Sequence, residues 1–150
     1  MATNLQLYDL WRDHVADPTR AAAVAGTLKC MIVTAAYAPN QNTDEFVTTP
    51  IANEVSGTGY TARGNACAAP TWSGPDGAGL LTFDASDPAT WTQNAAGFSN
   101  GRRAVFYYDT AVNGTSRLVA YTDNFGADLG NLAADFSVTI NAAGIYTSPR

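Results

Sequence analysis

Arg103-Ala104-Val105-Phe106-Tyr107-Tyr108-Asp109 and Ser116-Arg117-Leu118-Val119-Ala120-Tyr121-Thr122-Asp123 are two runs of β-forming residues, and Asn113-Gly114 lies in the short gap between them. Branched and aromatic side chains suit a pleated, half-buried surface. Asn-Gly is a turn signal between two such runs. The pair therefore reads as an antiparallel hairpin joined across residues 110–115, and it decides that the protein is mainly β.

Working outward, residues 126–134 form a polar loop, and Phe136, Val138 and Ile140 alternate onto one face of a further strand. Asn141-Ala142-Ala143-Gly144 then turns the backbone into a last strand over 145–147. Upstream, residues 28–35 read as a strand ended by Pro39-Asn40, and 60–69 as one stopped by Pro70. After the turn Ser73-Gly74-Pro75-Asp76-Gly77, residues 79–84 read as a strand antiparallel to 60–69. Residues 44–51 are ambiguous between loop and a short helix, 19–26 suit a further helical turn, and Trp91 is expected to seal a face of the core.

Residues 4–16 read as the one helix, with Leu5, Tyr8, Trp11 and Val15 at three- or four-residue spacing. Asn4 is the candidate cap, and Asp17-Pro18 ends the helix. So apolar a helix is expected to pack on its own sheet, with an arm that engages a neighbouring subunit as the alternative. The expected architecture is an antiparallel β-sandwich or open barrel of about seven strands with one N-terminal α-helix. It occupies one domain, residues 1–150, with the helix at 4–16 and the β-domain at 27–148.

Hydrophobic residues make up 46% of the 150, enough for a sizeable core. Charged residues make up 14%, so alanine, threonine, asparagine and glycine cover much of the surface. Net charge is −5, with Lys29 as the single lysine, which disfavours partners rich in phosphate, whether nucleic acid or anionic membrane. No apolar run approaches the ~20 residues of a membrane span. Asp9, Arg12 and Asp13 interrupt the N-terminal apolar stretch, which does not read as a signal peptide. Cys30 and Cys67 read as two buried free thiols, with a single disulfide between them as the alternative.

Reactive constellations are thin. His14 is the only histidine, and no Gly-x-Ser-x-Gly elbow presents a nucleophile to it. Zinc lacks ligands. Asp76, Asp84 and Asp87, or Asp123 and Asp128, could supply oxygens for a structural cation, but aspartates near Gly and Pro more often make Asx-turns with their own backbone. Trp72, Trp91, Tyr107 and Tyr108 suit either a carbohydrate platform or the core. No catalytic residue, cofactor or metal is expected. Of the adjacent Arg102 and Arg103, only one can point to a given strand face, leaving the other for solvent or a partner carboxylate.

The segment Asn53-Glu54-Val55-Ser56-Gly57-Thr58-Gly59-Tyr60-Thr61-Ala62-Arg63-Gly64 combines turn glycines with an aromatic strand entry. It resembles the N-E-V-S-G-x-G-Y-x-x-x-G element of a family of small tailed-bacteriophage virion proteins. Asn4-Leu5-Gln6-Leu7-Tyr8, the strand at 28–35, Tyr37-Ala38-Pro39-Asn40, Phe83-Asp84-Ala85-Ser86-Asp87, the hairpin strands and residues 135–145 match in the same order. The resemblance implies a structural virion protein. Within that class the expectation is a capsid decoration (cement) protein, made in the host cytoplasm and bound to the capsid exterior. It would be a homotrimer contacting the major capsid protein. The alternatives are a tail or head-fibre module recognising host surface glycans, or a connector that joins virion proteins. The expected contacts with the shell or a neighbouring subunit are Tyr8, Trp11 and Arg12, the loop residues Asn53, Glu54 and Tyr60, and Arg102 with Arg103.

Overall fold

The computed structural model describes residues 5–16, 24–73 and 80–149. In sequence order the elements are β1 (Leu5–Leu7), α1 (Asp9–Ala16), β2 (Thr27–Val33), α2 (Thr48–Ile51), β3 (Asn65–Ala66) and β4 (Thr71–Ser73). They continue with β5 (Leu80–Asp84), β6 (Arg103–Asp109), β7 (Arg117–Thr122) and β8 (Tyr146–Pro149). Two antiparallel sheets result, ordered β1-β7-β6-β2-β3 and β4-β5-β8. The protein is therefore mainly β. The two sheets fit a sandwich or an open barrel, and neither closes into a barrel.

β6 is the centre of the larger sheet. It pairs with β2 in seven-residue register from Thr27↔Asp109 to Val33↔Arg103, and with β7 through a register shift between Phe106 and Tyr107. Residues 104–108 are all buried. A strand covered on both faces has no solvent side to keep polar, which is why its sequence is a continuous apolar run.

The N-terminal segment differs from expectation. Leu5, Gln6 and Leu7 pair with Thr122, Tyr121 and Ala120, and the helix spans only Asp9–Ala16. The edge of β7 offers unpaired backbone groups, and satisfying them outweighs weak local helix preference. Asp9, in the first helical turn, meets the positive end of the helix dipole. Asn4 and most of 19–26 lie outside the described residues, as do residues 74–77 of the turn.

The expected strand at 60–69 contracts to β3, because Arg63, Gly64 and Ala69 all take positive φ (67°, 70° and 48°). Consequently β5 pairs with β4 and β8 rather than with that segment. Residues 136–140 keep their alternation, with Phe136, Val138 and Ile140 buried and Ser137 exposed. Phe136 makes an antiparallel bridge to Trp91. Of the ambiguous 44–51 stretch only Thr48–Ile51 is helical, as α2, while Phe46 bridges Arg117, and the last strand begins at Tyr146.

Two ring clusters fill the interior. Trp11 stacks on Trp72 at 6.1 Å and meets Phe83 at 5.4 Å and Tyr146 at 6.3 Å, tying α1 to the smaller sheet. Phe83 also reaches Tyr108 of β6 at 6.4 Å, joining the two sheets. On the other side, Tyr60 stacks on Trp91 at 5.9 Å and meets Phe98 edge-on at 5.4 Å. Both cysteines are free and buried. Burial pushes the Cys67 thiol up to about 12 and raises Cys30 as well, so both behave as small apolar side chains.

Candidate functional site

The 53–64 segment runs beside the end of β2. Thr34 N donates to Asn53 O at 2.9 Å, Val55 N donates to Ile32 O at 3.0 Å, and Glu54 bridges Val33. The turn at 57–60 then closes: Tyr60 N donates to Gly57 O, and Thr58 N donates to Ala96 O at 2.9 Å. Gly57 is required by proximity, since a Cβ there would lie 2.5 Å from the Gly97 carbonyl carbon. Gly64 is tighter still, with a Cβ position 2.0 Å from Cys30 O and a left-handed backbone.

Tyr60 is the hub of this strap. Its hydroxyl donates to Glu54 Oε1 at 2.7 Å and accepts from Ile32 N at 3.0 Å. Burial raises the Tyr60 phenol, and the Glu54 carboxylate adds to the rise. Glu54 is itself raised, chiefly by burial, although bonds from Tyr60 and from the Arg63 and Gly64 backbone work the other way.

Arg63 extends the strap to β6 and its turn. Nε donates to both Asp109 oxygens at 3.0 and 3.1 Å, Nη1 donates to Asn113 Oδ1 at 2.7 Å, and Nη2 reaches Ser116 Oγ at 3.3 Å. Lys29 Nζ lies 2.8 Å from Asp109 Oδ2, and Tyr107 OH donates to Arg63 O at 2.7 Å. The Asp109 side chain is 7% exposed. Its burial alone would raise the carboxyl, but the bonds from Arg63 and Lys29 outweigh that and hold it well below the usual carboxylate range.

The expected contact residues divide. Tyr8 and Trp11 are 0% and 2% exposed, so the structure corrects their assignment to an external contact: they are core. Tyr8 OH donates to Tyr37 OH at 2.7 Å, which donates to Asp44 Oδ2 at 2.8 Å. Arg12 is half exposed and pairs with Asp9 at 3.0 Å. Asn53 Nδ2 donates to Thr49 O. Glu54 and Tyr60 bond each other. Arg102 finds its carboxylate within the same molecule, in Asp128, and Arg103 Nη1 donates to Thr122 O at 3.3 Å. These residues form no single cluster. Trp91, Tyr107 and Tyr108 of the suggested carbohydrate platform are buried, and Trp72 is partly buried in the Trp11 cluster.

Sequence reasoning missed the Lys29–Arg63–Asp109 group and the buried Asn131. Asn131 Oδ1 accepts from Phe98 N at 2.9 Å, and its Nδ2 donates to Thr92 O at 2.8 Å. The available signals were a solitary lysine on a strand and an arginine immediately before the motif's last glycine. Of the aspartates named for a cation, Asp84 accepts from Ala85 N, Asp87 from Ile140 N and Asp123 from Gln6, while Asp76 and the His14 side chain lie outside the described residues. Among the described residues no group of three or more His, Cys, Asp or Glu is placed to hold a metal ion, and no helix is long and apolar enough to cross a membrane. No family model, no curated protein and no solved structure matches the sequence.

Proposed function

We propose that this is a structural virion protein: a capsid decoration protein that binds the outside of a phage head as a homotrimer and stabilises the expanded shell. The observation that carries this reading is how the 53–64 element spends its polar groups. Glu54, Tyr60 and Arg63 belong to the segment that resembles phage virion proteins, and each bonds inside the molecule. An element built this way supports a rigid scaffold rather than turning over a substrate.

The exposed residues around it, Ser56, Thr58, Thr61 and Ala62, are short. They lose little rotamer freedom when a neighbour covers them. Binding only the assembled lattice adds its free energy to that state. Contacts to several major capsid protein subunits raise effective affinity, and a trimer suits threefold positions. With Tyr8 and Trp11 in the core, the contact falls to Arg12, Asn53 and the exposed turn at 56–59.

Recognition of host glycans by a tail or fibre module calls for exposed rings. The exposed large hydrophobic residues, among those described, are the aliphatic Val112 and Leu132. The test is cosedimentation with expanded capsids that lack the protein. Saturation at a copy number proportional to the shell subunits is expected. A few copies per particle, or none, would overturn decoration and make glycan screening the next measurement.

A further inference from the structure

Two Asn-Gly dipeptides occur in the sequence, Asn100-Gly101 and Asn113-Gly114, and the fold treats them in opposite ways. Asn-Gly is chemically labile because the glycine nitrogen can attack the amide carbon of the asparagine. A new N–C bond closes a succinimide, the bond from that carbon to the amide nitrogen breaks, and ammonia leaves. Water then opens the ring at either carbonyl, giving aspartate or isoaspartate. Nothing is oxidised or reduced, and water is the only co-reactant. The step needs an unencumbered nitrogen and a backbone free to bring it to the amide.

Gly101 has neither. Its N–H donates to Leu129 O at 2.9 Å, Leu129 N donates back to Gly101 O at 2.9 Å, and the residue is buried. A Cβ there would lie 2.7 Å from Ile32 Cγ2, which shows how closely the surroundings press on it. Gly114 has both. It is exposed, nothing lies within 4 Å of its Cβ position, and its N–H makes no hydrogen bond among the described residues.

Arg63 adds a second feature at the same place. Its Nη1 donates to Asn113 Oδ1 at 2.7 Å, so it polarises the carbonyl under attack and lies where negative charge develops on that oxygen. An aspartate at 113 accepts the same bond in its stronger, charge-assisted form. We propose that Asn113 is a site of spontaneous deamidation, with Arg63 placed to hold the carboxylate product, and that the Gly101–Leu129 bridge protects Asn100. Each conversion adds one negative charge to the hairpin tip. The change falls on the rim of an apolar groove of about 250 Å³ lined by Phe46, Thr110, Thr115 and Arg117, next to the exposed Val112.

The experiment ages the whole protein in mildly alkaline buffer, native and in urea, and follows both sites by tryptic peptide mass spectrometry. Cleavage at arginine places Asn113 in the 104–117 peptide and Asn100 in the 64–102 peptide. In the native protein Asn113 is expected to convert at least about tenfold faster than Asn100, and in urea the two rates converge. Equal native rates, or an intact Asn113, overturn the proposal.

Gly114→Ala keeps the fold testable, because the added methyl enters open space and the backbone there is not left-handed. It is expected to slow conversion at 113 by about tenfold or more, and an unchanged rate overturns the succinimide route. Asn113→Asp is expected to melt at or above the temperature of the unmodified protein. A lower melting temperature removes Arg63 as the group that holds the product.

Discussion

Trp11, Trp72, Phe83 and Tyr146 hold α1 against the smaller sheet through ring contacts, whereas Glu54, Tyr60, Arg63, Lys29 and Asp109 hold the 53–64 strap through directional bonds. The first region depends on volume and shape, and its stabilisation is nearly independent of pH. The second depends on protonation and on each donor meeting one acceptor. The ring cluster tolerates small displacements but not loss of a ring, while the strap tolerates neither a missing atom nor a missing charge.

The largest expected effect lies in the first region. Trp11→Ala empties a site that is 2% exposed and faces three other rings, and should cost about 3–5 kcal/mol in denaturant unfolding. The shape of the stability–pH curve should stay as in the parent. A smaller loss than that of the strap variants would invert the ranking of the two regions.

Asp109→Asn comes next, at roughly 2–4 kcal/mol, because it leaves Arg63 and Lys29 without their shared carboxylate. Both cations keep about a quarter of their side chains exposed, so solvent softens the loss. The pH signature is specific. The folded carboxyl of Asp109 is lowered, so its contribution is complete above the unfolded value of about 3.9 and is lost as pH falls toward the folded value. Glu54 has the opposite sign. Its folded carboxyl is raised, so its contribution is complete below about 4.3 and is lost as pH rises through the folded value. Asp109→Asn should therefore flatten the acid limb, and Glu54→Gln should remove a decline on the higher-pH side of it. Matching curves for both variants would contradict these assignments.

Tyr60→Phe removes one oxygen and keeps the ring stacked on Trp91. It strands Ile32 N–H and takes a donor from Glu54, at a cost of about 1–3 kcal/mol. Equilibrium unfolding reads it directly, and a loss near zero would mean that stacking alone holds the strap.

The two regions were unequally legible. The hairpin of β6 and β7 announced itself, because a strand buried on both faces needs a long run of β-formers that little else in a sequence imitates. The ring cluster was half visible: Trp11 was recognisable as an apolar helix position, yet nothing local says whether such a ring faces its own sheet or a neighbouring subunit. Leu5 and Leu7 fit a helical stripe as well as a strand, and pairing with β7, more than a hundred residues away, decided between them. The strap was the least legible. Arg63 takes φ 67° without being glycine, and its partner Asp109 is 46 residues distant, so neither propensity nor periodicity marks the contact. Asn131 escaped for the same reason, since a buried asparagine bonding Phe98, Thr92 and Thr58 looks in sequence like any loop asparagine.

Arg12→Ala is the smallest expected effect on stability and the one that bears most directly on the proposed role. Arg12 follows Trp11 on α1, but the helix turns it to solvent, where among the described residues it pairs with Asp9, three residues earlier. Such a pair contributes about 0.5 kcal/mol or less, so unfolding should be almost unchanged. If α1 faces the capsid, the same substitution should weaken cosedimentation while the melting temperature stays put. Unchanged binding would remove the outer face of the helix from the interface and leave the turn at 56–59 as the contact to test, because Trp11 on the inner face is already committed to the core.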